Sequence, residues 1–322
     1  MLDDLYQRGE TRSARATRAA TTRRGVKLPA DLRVIERSWL SSNNILIGRT
    51  LVDTGYTSES ARTLELVDAA LGGAPLEAIL NSHCHSDHIG GNAALKRRYH
   101  CPITVPAGAA PMIEAWDERA LVLSYADQEC ERFEFDATCA AGQTLRIGAR
   151  EWQALGAPGH DPHALVFYSP EERLLISADA LWENGFGVIF GALAGARAEF
   201  AETRATLEAI AALGARIVIP GHGRVFSKVD AALERAFARL DAYERDPQKH
   251  ARHALKVMVM FALLARGVID DLPGYIARVP FLVDVNARWL GLAPEVLATL
   301  VGAELERAGV AQYTRGVLRP RR

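Results

Sequence analysis

Apolar residues recur along the first two thirds of the chain in short blocks separated by turn residues. Residues 32–37 and 44–47 have the length and content of strands, with Ser41-Ser42-Asn43 as the turn between them. Residues 50–53 predict a third strand, closed by the tight turn Asp53-Thr54-Gly55. Ser58 then caps a helix in which Leu64, Val67, Ala70 and Leu71 follow helical spacing, and Gly72-Gly73 ends it. Ile79-Leu80 forms a short buried strand that delivers Asn81-Ser82-His83 to a loop, and Gly90-Gly91-Asn92 opens the next helix. Further strands are expected over residues 103–105, 131–135, 144–147, 151–155, 165–168 and 174–177, and a helix over 200–213 precedes a strand at 217–219.

Strands followed by helices, twice over, predict an α/β protein. Its two sheets pack face to face with helices outside, a four-layer αββα sandwich. From Val229 the pattern turns mainly helical, interrupted at Gly267, Pro273-Gly274, Pro280 and Pro294. Three segments result: a disordered N-terminal arm over 1–27, a catalytic domain over 28–228 and a small helical domain over 229–322. Within the arm, residues 8–27 are rich in Arg, Thr and Ala and poor in acid after Glu10, a composition shared with organelle transit peptides.

Composition narrows the function. The formal net charge is -1 over 322 residues, which supplies no overall drive toward nucleic acid or acidic membranes. No stretch is apolar and long enough to span a bilayer. Cys84, Cys101, Cys130 and Cys139 form no Cys-x-x-Cys pair and no disulfide framework, so they read as reduced thiols in a cytoplasmic protein. Cys84 stands apart because it lies between two histidines of the next motif.

That motif is His83-Cys84-His85-Ser86-Asp87-His88, three imidazoles and a carboxylate within six residues. Imidazole nitrogen and carboxylate oxygen are the ligands zinc takes where it does chemistry. On an extended loop His83 and His85 point to one side, while Asp87 and His88 turn toward another point, so the segment can feed two metals. Two cations a few ångströms apart hold a bridging water and lower its pKa toward neutrality. The resulting hydroxide attacks a carbonyl or phosphoryl centre, with Asp87 also placed to accept a proton. No Gly-x-Ser-x-Gly elbow offers a serine nucleophile instead.

The run His-x-His-x-Asp-His followed by Ile-Gly-Gly-Asn resembles the signature of the metallo-β-lactamase superfamily, and the resemblance covers roughly residues 28–227. It implies a metal-dependent hydrolase with two divalent ions, zinc first, though the same ligands accept iron or manganese. By resemblance, His83, His85 and His160 (in Ala-Pro-Gly-His) hold one ion, and Asp87, His88 and His222 (in Ile-Pro-Gly-His-Gly) hold the other. Asp179 (in Ile-Ser-Ala-Asp-Ala) bridges them, and Asp53 supports the site without ligating. His160, Asp179 and His222 each end an apolar run, where strand ends fix side chains firmly.

The departures from the family pattern bear on substrate. His163 follows His160 after three residues and is a candidate catalytic or substrate-contacting group, or a turn histidine bonded to backbone; Asp161 is a candidate to orient His160. Trp182 and Phe186 form either an apolar pocket wall or plain core, and Asn184 is a further candidate contact. His85 stands where iron-type flavodiiron proteins have glutamate, and no cysteine follows Cys139 to serve as the late thiolate ligand of some β-lactamases. The N-terminus lacks the apolar core of a secretory signal, which argues against an exported, drug-degrading enzyme.

Residues 251–319 loosely resemble the winged-helix-like tail of the β-lactamase-like endoribonucleases, with Arg315, Arg319, Arg321 and Arg322 as a basic end. A helical cap that shapes the active-site mouth or supports a homodimer is preferred over a nucleic-acid grip, with Arg278, Phe281 and Trp289 as candidate lining residues. The leading expectation is hydrolysis of a small-molecule thioester, lactone or ester. The alternatives are a ribonuclease or other phosphodiesterase, and a single-iron persulfide dioxygenase.

Overall fold

The computed structural model describes residues 26–196 and 198–321. The expected arm lies outside these apart from residues 26 and 27, and so does Arg322. The described chain falls into two compact units, Pro29–His250 and the segment from Ala251 onward.

The first unit holds two sheets. One contains β1 (Leu32–Ile35), β2 (Asn44–Ile47), β3 (Thr50–Val52), β4 (Ala78–Leu80), β5 (Ile103–Pro106) and β6 (Ala137–Cys139), in that spatial order. Its first three strands pair antiparallel and the rest parallel. The second contains β7 (Thr144–Ile147), β8 (Arg150–Gly156), β9 (Leu165–Ser169), β10 (Leu174–Ala178) and β11 (Ile217–Pro220), antiparallel except for the parallel pair β10–β11.

Strand alternation sorts the core into layers. On the first sheet Leu46, Leu51, Ile79 and Ile103 face one way, packing with Val67 of helix α1 (Ser60–Leu71) and Leu95 of the later helix Asn92–Tyr99. On the second sheet Val166, Tyr168, Leu175 and Val218 pack with Leu207 of helix Ala198–Ala212 and Leu233 of helix Val229–Arg245. The opposite faces, carrying Ile45, Ile47 and Val52 on one sheet and Trp152, Phe167 and Ile176 on the other, are also buried. Both faces of both sheets are therefore covered, as the αββα expectation requires.

Two expectations shift. Residues 131–135 form no strand; the strand forms at Ala137–Cys139 instead, where Asp136 exchanges bonds with Ile103 through its backbone and its carboxylate. Phe133 alternates like a strand residue because it is buried against Trp116. The second shift is the boundary at Val229. Helical character begins there, but Val229–Arg245 buries Val229, Ala232, Leu233, Ala236 and Leu240 in the first unit's core, which runs on to His250.

The second unit comprises most of the helix Pro247–Arg266, then helices Leu272–Arg278, Pro280–Trp289 and Pro294–Arg307, and a closing antiparallel hairpin of β12 (Ala311–Thr314) and β13 (Val317–Pro320). Pro273, Pro280 and Pro294, read from the sequence as interruptions, each stand in the first turn of one of these helices. Phe281 is buried, Trp289 half-buried, and the Arg278 guanidinium sits over the Tyr275 ring at 4.9 Å. Among the described residues no helix is long and apolar enough to cross a membrane.

Candidate metal centre

The candidate ligands converge because strands of both sheets end at one place. Asp53 follows β3, His83 and His85 follow β4, Asp179 follows β10 and His222 lies two residues beyond β11. His160 sits in the loop from β8 to β9, and Asp87 and His88 lie in the four-residue helix α2 (Ser86–Ile89). Carboxyl ends of parallel strands are the usual place for such a crevice in an α/β fold. The backbone is bent sharply to make it: Asp53 and Ala178 have φ of 58° and 44°, a left-handed conformation that costs a residue with a Cβ about 1 kcal/mol or more.

Two donor groups result, His83–His85–His160 and Asp87–His88–Asp179–His222, each with its donor atoms within 4.8 Å of one another. In the first, His85 Nδ1 and His160 Nε2 lie 2.9 Å apart. In the second, His222 Nε2 is 3.0 Å from Asp87 Oδ2, and His88 Nε2 is 3.8 Å from the same oxygen. Asp179 joins them: Oδ2 is 3.5 Å from His160 Nε2, and Oδ1 is 3.5 Å from His88 Nε2. Donors held about 2.0–2.1 Å from a tetrahedral ion sit about 3.3 Å from each other. The spacing fits two ions sharing one carboxylate.

The remote sides of the His160 and His88 rings are held by the protein, which sets the nitrogen that faces inward. His160 Nδ1 donates to the Val188 carbonyl at 2.7 Å. His88 Nδ1 donates to Asp53 Oδ2 at 2.8 Å, while Ser82 donates to the same carboxylate through N and Oγ. That leaves Nε2 of His88 buried with no hydrogen-bond partner, and His83 Nε2 likewise. An orphaned buried imidazole nitrogen is costly unless something binds it. The donor set therefore fits the metals the sequence implies.

The electrostatics agree. Burial holds His85 and His160 down at about 4 and pushes His83 lower than its ordinary value, so all three stay neutral and able to ligate. Burial would lower His88 too, but Asp179, Asp53 and Asp87 outweigh it and raise it well above its ordinary value. The field at the second group favours positive charge. Burial would raise Asp179, yet His222, His88 and His160 hold it well below the usual carboxylate range.

Neighbouring backbone is fitted to these rings. A Cβ on Gly187 would fall 2.4 Å from His160 Nδ1, and one on Gly221 would fall 2.2 Å from Asp179 Oδ1. Ser41-Ser42-Asn43, expected as a plain turn, ties the two sides together: Ser42 N donates to the Asp87 carbonyl, and Asn43 donates to Gly221 O through its backbone and to Pro220 O and Gly223 O through Nδ2.

Other candidates settle elsewhere. His163 belongs to neither donor group; its ring lies against Gly108, where a Cβ would come within 2.3 Å of Nδ1. Asp161 faces His85 rather than His160, its Oδ2 3.6 Å from His85 Nε2 and its Oδ1 accepting from His163 N at 2.7 Å. Cys84 is buried in the first sheet's core, where burial pushes its thiol well up, and it joins neither group. Phe186 is core, with Tyr243 edge-on to it. Trp182 is at the site: its Nε1 donates to Asp179 Oδ1 at 3.2 Å and its ring centroid is 5.4 Å from that of His222. Asn184 is half-buried at the tip of the turn between Trp182 and Gly185.

Two aromatic residues at the site carry no mark in the sequence. Trp39 lies 4.9 Å from His222, and Phe190 lies 5.3 Å from His85, centroid to centroid. Trp39 sits in a turn and Phe190 opens a four-residue helix, Phe190–Leu193; neither segment is long enough to show periodicity, and only the tertiary fold brings the two rings to the donor groups.

A family model described as the metallo-beta-lactamase superfamily matches residues 37–222. The chain is similar to a hydroxyacylglutathione hydrolase of Rhodopseudomonas palustris strain CGA009, 31% identical over 170 residues, which are 51% of this chain and 56% of that protein. A second, from Rhodopseudomonas palustris strain HaA2, is 30% identical over 115 residues, 36% of this chain and 38% of that protein. The chain thus spans between 38% and 56% of the length of these curated relatives. Among solved structures, a metallo-beta-lactamase family protein of Thermus thermophilus superposes with a TM-score of 0.55 at 19% identity, covering 92% of this chain and 100% of that one.

Proposed function

The chain belongs to the metallo-beta-lactamase superfamily, and from that premise we propose that it is a metal-dependent hydrolase of a small carbonyl substrate, a thioester, lactone or ester. One observation carries the reading: two complete donor groups stand side by side with Asp179 placed 3.5 Å from a nitrogen of each. The name hydroxyacylglutathione hydrolase, borne by its curated relatives, supports hydrolysis as the reaction.

His83, His85 and His160 hold the first ion in this reading, and Asp87, His88 and His222 the second. Zinc is the proposed metal, since nitrogen and oxygen donors at tetrahedral spacing suit it. When bound, two such ions polarise a substrate carbonyl and bring a water toward ionisation at neutral pH. The protein's own part is to hold the geometry and move the proton. Burial would raise the Asp87 carboxyl, but His88 and His222 outweigh that and keep it below its ordinary value, so it stays an acceptor for a proton from the attacking water. The Val188 carbonyl and the Asp53 carboxylate keep His160 and His88 in the tautomers the site needs.

The test is turnover by zinc-loaded protein of thioester, lactone, ester and phosphodiester substrates in parallel. Hydrolysis of a carbonyl substrate, lost in His160→Ala, is the expected result. Hydrolysis of phosphodiesters alone would replace this reading with the nuclease one, and no turnover of any substrate would overturn it.

A further inference from the structure

Three aromatic side chains stand around the donor groups although none is needed to hold a metal. Trp39 and Trp182 flank the His222 side, their rings edge-on at 5.2 Å from each other and 4.9 and 5.4 Å from His222. Phe190 flanks the opposite side, 5.3 Å from His85 and 5.7 Å from His160. All three are half-buried, whereas the four ligand imidazoles His83, His85, His88 and His222 are buried.

Trp39 is the informative one. Its neighbour Leu40 is 6% exposed and serves as the segment's core anchor, whereas Trp39 is only half-buried, with its ring beside His222. The segment is held at both ends. On one side the Arg37 guanidinium donates to Asn44 Oδ1 and Thr63 Oγ1, both at 2.7 Å. On the other, Ser42 N donates to the Asp87 carbonyl and Asn43 N to the Gly221 carbonyl. A large ring on a fixed backbone loses little freedom when something packs on it, which makes it an efficient contact surface. Trp182 complements it: its N–H is engaged by Asp179, so what remains available is apolar ring.

We infer that Trp39 is a specificity-determining residue, forming with Trp182 an apolar wall that receives a bulky apolar or aromatic group of the substrate. The inference deepens the hydrolase reading by naming the substrate class, and for its reaction it rests on that reading. Such a wall gains most from covering ring with ring or alkyl surface, and discriminates weakly among polar groups.

The test is built to read the wall without turnover. A thiolate is a zinc ligand in its own right, so phenylmethanethiol and ethanethiol anchor the same way and differ in the apolar group they present. Their affinities for zinc-loaded protein are measured by calorimetry. Wild type is expected to prefer the aromatic thiol by about tenfold or more, and Trp39→Ala to lose most of that preference while retaining its zinc and its ethanethiol affinity. Trp39→Phe keeps most of the preference and Trp39→Leu an intermediate part. These two carry the test if the alanine variant does not fold. A preference unchanged across the series, or none in wild type, overturns the inference. An intact, Trp39-dependent preference in a protein that hydrolyses no carbonyl substrate would instead fault the hydrolase reading alone.

Discussion

The Asp53 carboxylate accepts from His88 Nδ1 at 2.8 Å, and this one bond aims the other ring nitrogen at Asp87 and Asp179. The same carboxylate gathers Ser82 N and Oγ at 2.8 and 2.7 Å, linking the ends of β3 and β4. Asp53 therefore acts on the second proposed metal position, whose donor group it does not join. Asp53→Asn should weaken that position by roughly 10–100-fold, the usual cost of losing a partner that orients a ligand. Competition with a chromogenic chelator checks this, with the first position expected to hold its ion.

Loss of a direct donor should be more severe. His160→Ala removes one of three nitrogens from the first group, and with it the contact to Asp179. Activity should fall by more than the roughly hundredfold typical of an orienting partner. Metal content should drop toward one ion per chain, read by elemental analysis beside a rate assay.

Gly187 tests the fit of backbone to ring. Its missing Cβ would lie 2.4 Å from His160 Nδ1, the atom that donates to Val188 O. Gly187→Ala should push the imidazole off that carbonyl. About a tenfold or larger loss of activity is expected from a disturbed orienting bond. The first ion should bind more weakly, while the thermal transition of the metal-free protein moves little.

The metal-free protein should lose stability as pH falls from about 6.5. Burial holds His85 and His160 at about 4 and His250 at about 3, and lowers His83 as well. Across that window the unfolded chain takes up protons that the folded chain refuses, so the unfolded state gains with every step down. The contribution of these groups is complete above their ordinary value of 6.5. His88 is shifted the opposite way, so its contribution is complete below 6.5 and fades only at higher pH. Thermal melts with chelator from about pH 7 to about pH 5 should show a steadily falling Tm. A flat or rising Tm would contradict the burial of these imidazoles.

Local signals made much of this architecture legible. The cluster from His83 to His88 announces itself because its ligands lie within six residues, and the apolar runs before Asp179 and His222 mark strand ends. Residues placed by tertiary packing alone left no such mark. Trp39 sits in a turn and Phe190 in a helix of only four residues, and the Val188 carbonyl that orients His160 is backbone. Strand periodicity at Phe133 reflected burial without pairing, so the edge strand was expected a few residues early. The boundary at Val229 followed a change of helix content, whereas packing assigns that helix to the first unit.

The central claim is a two-metal centre bridged by Asp179, and native mass spectrometry tests it most directly. The protein is purified without chelator, supplied with zinc, and compared with Asp179→Ala. Two zinc ions per wild-type chain, with at most one retained in the variant, is the result expected from two donor groups that share one carboxylate. One ion or none on the wild-type chain at saturating zinc, or two held equally well without Asp179, would contradict it.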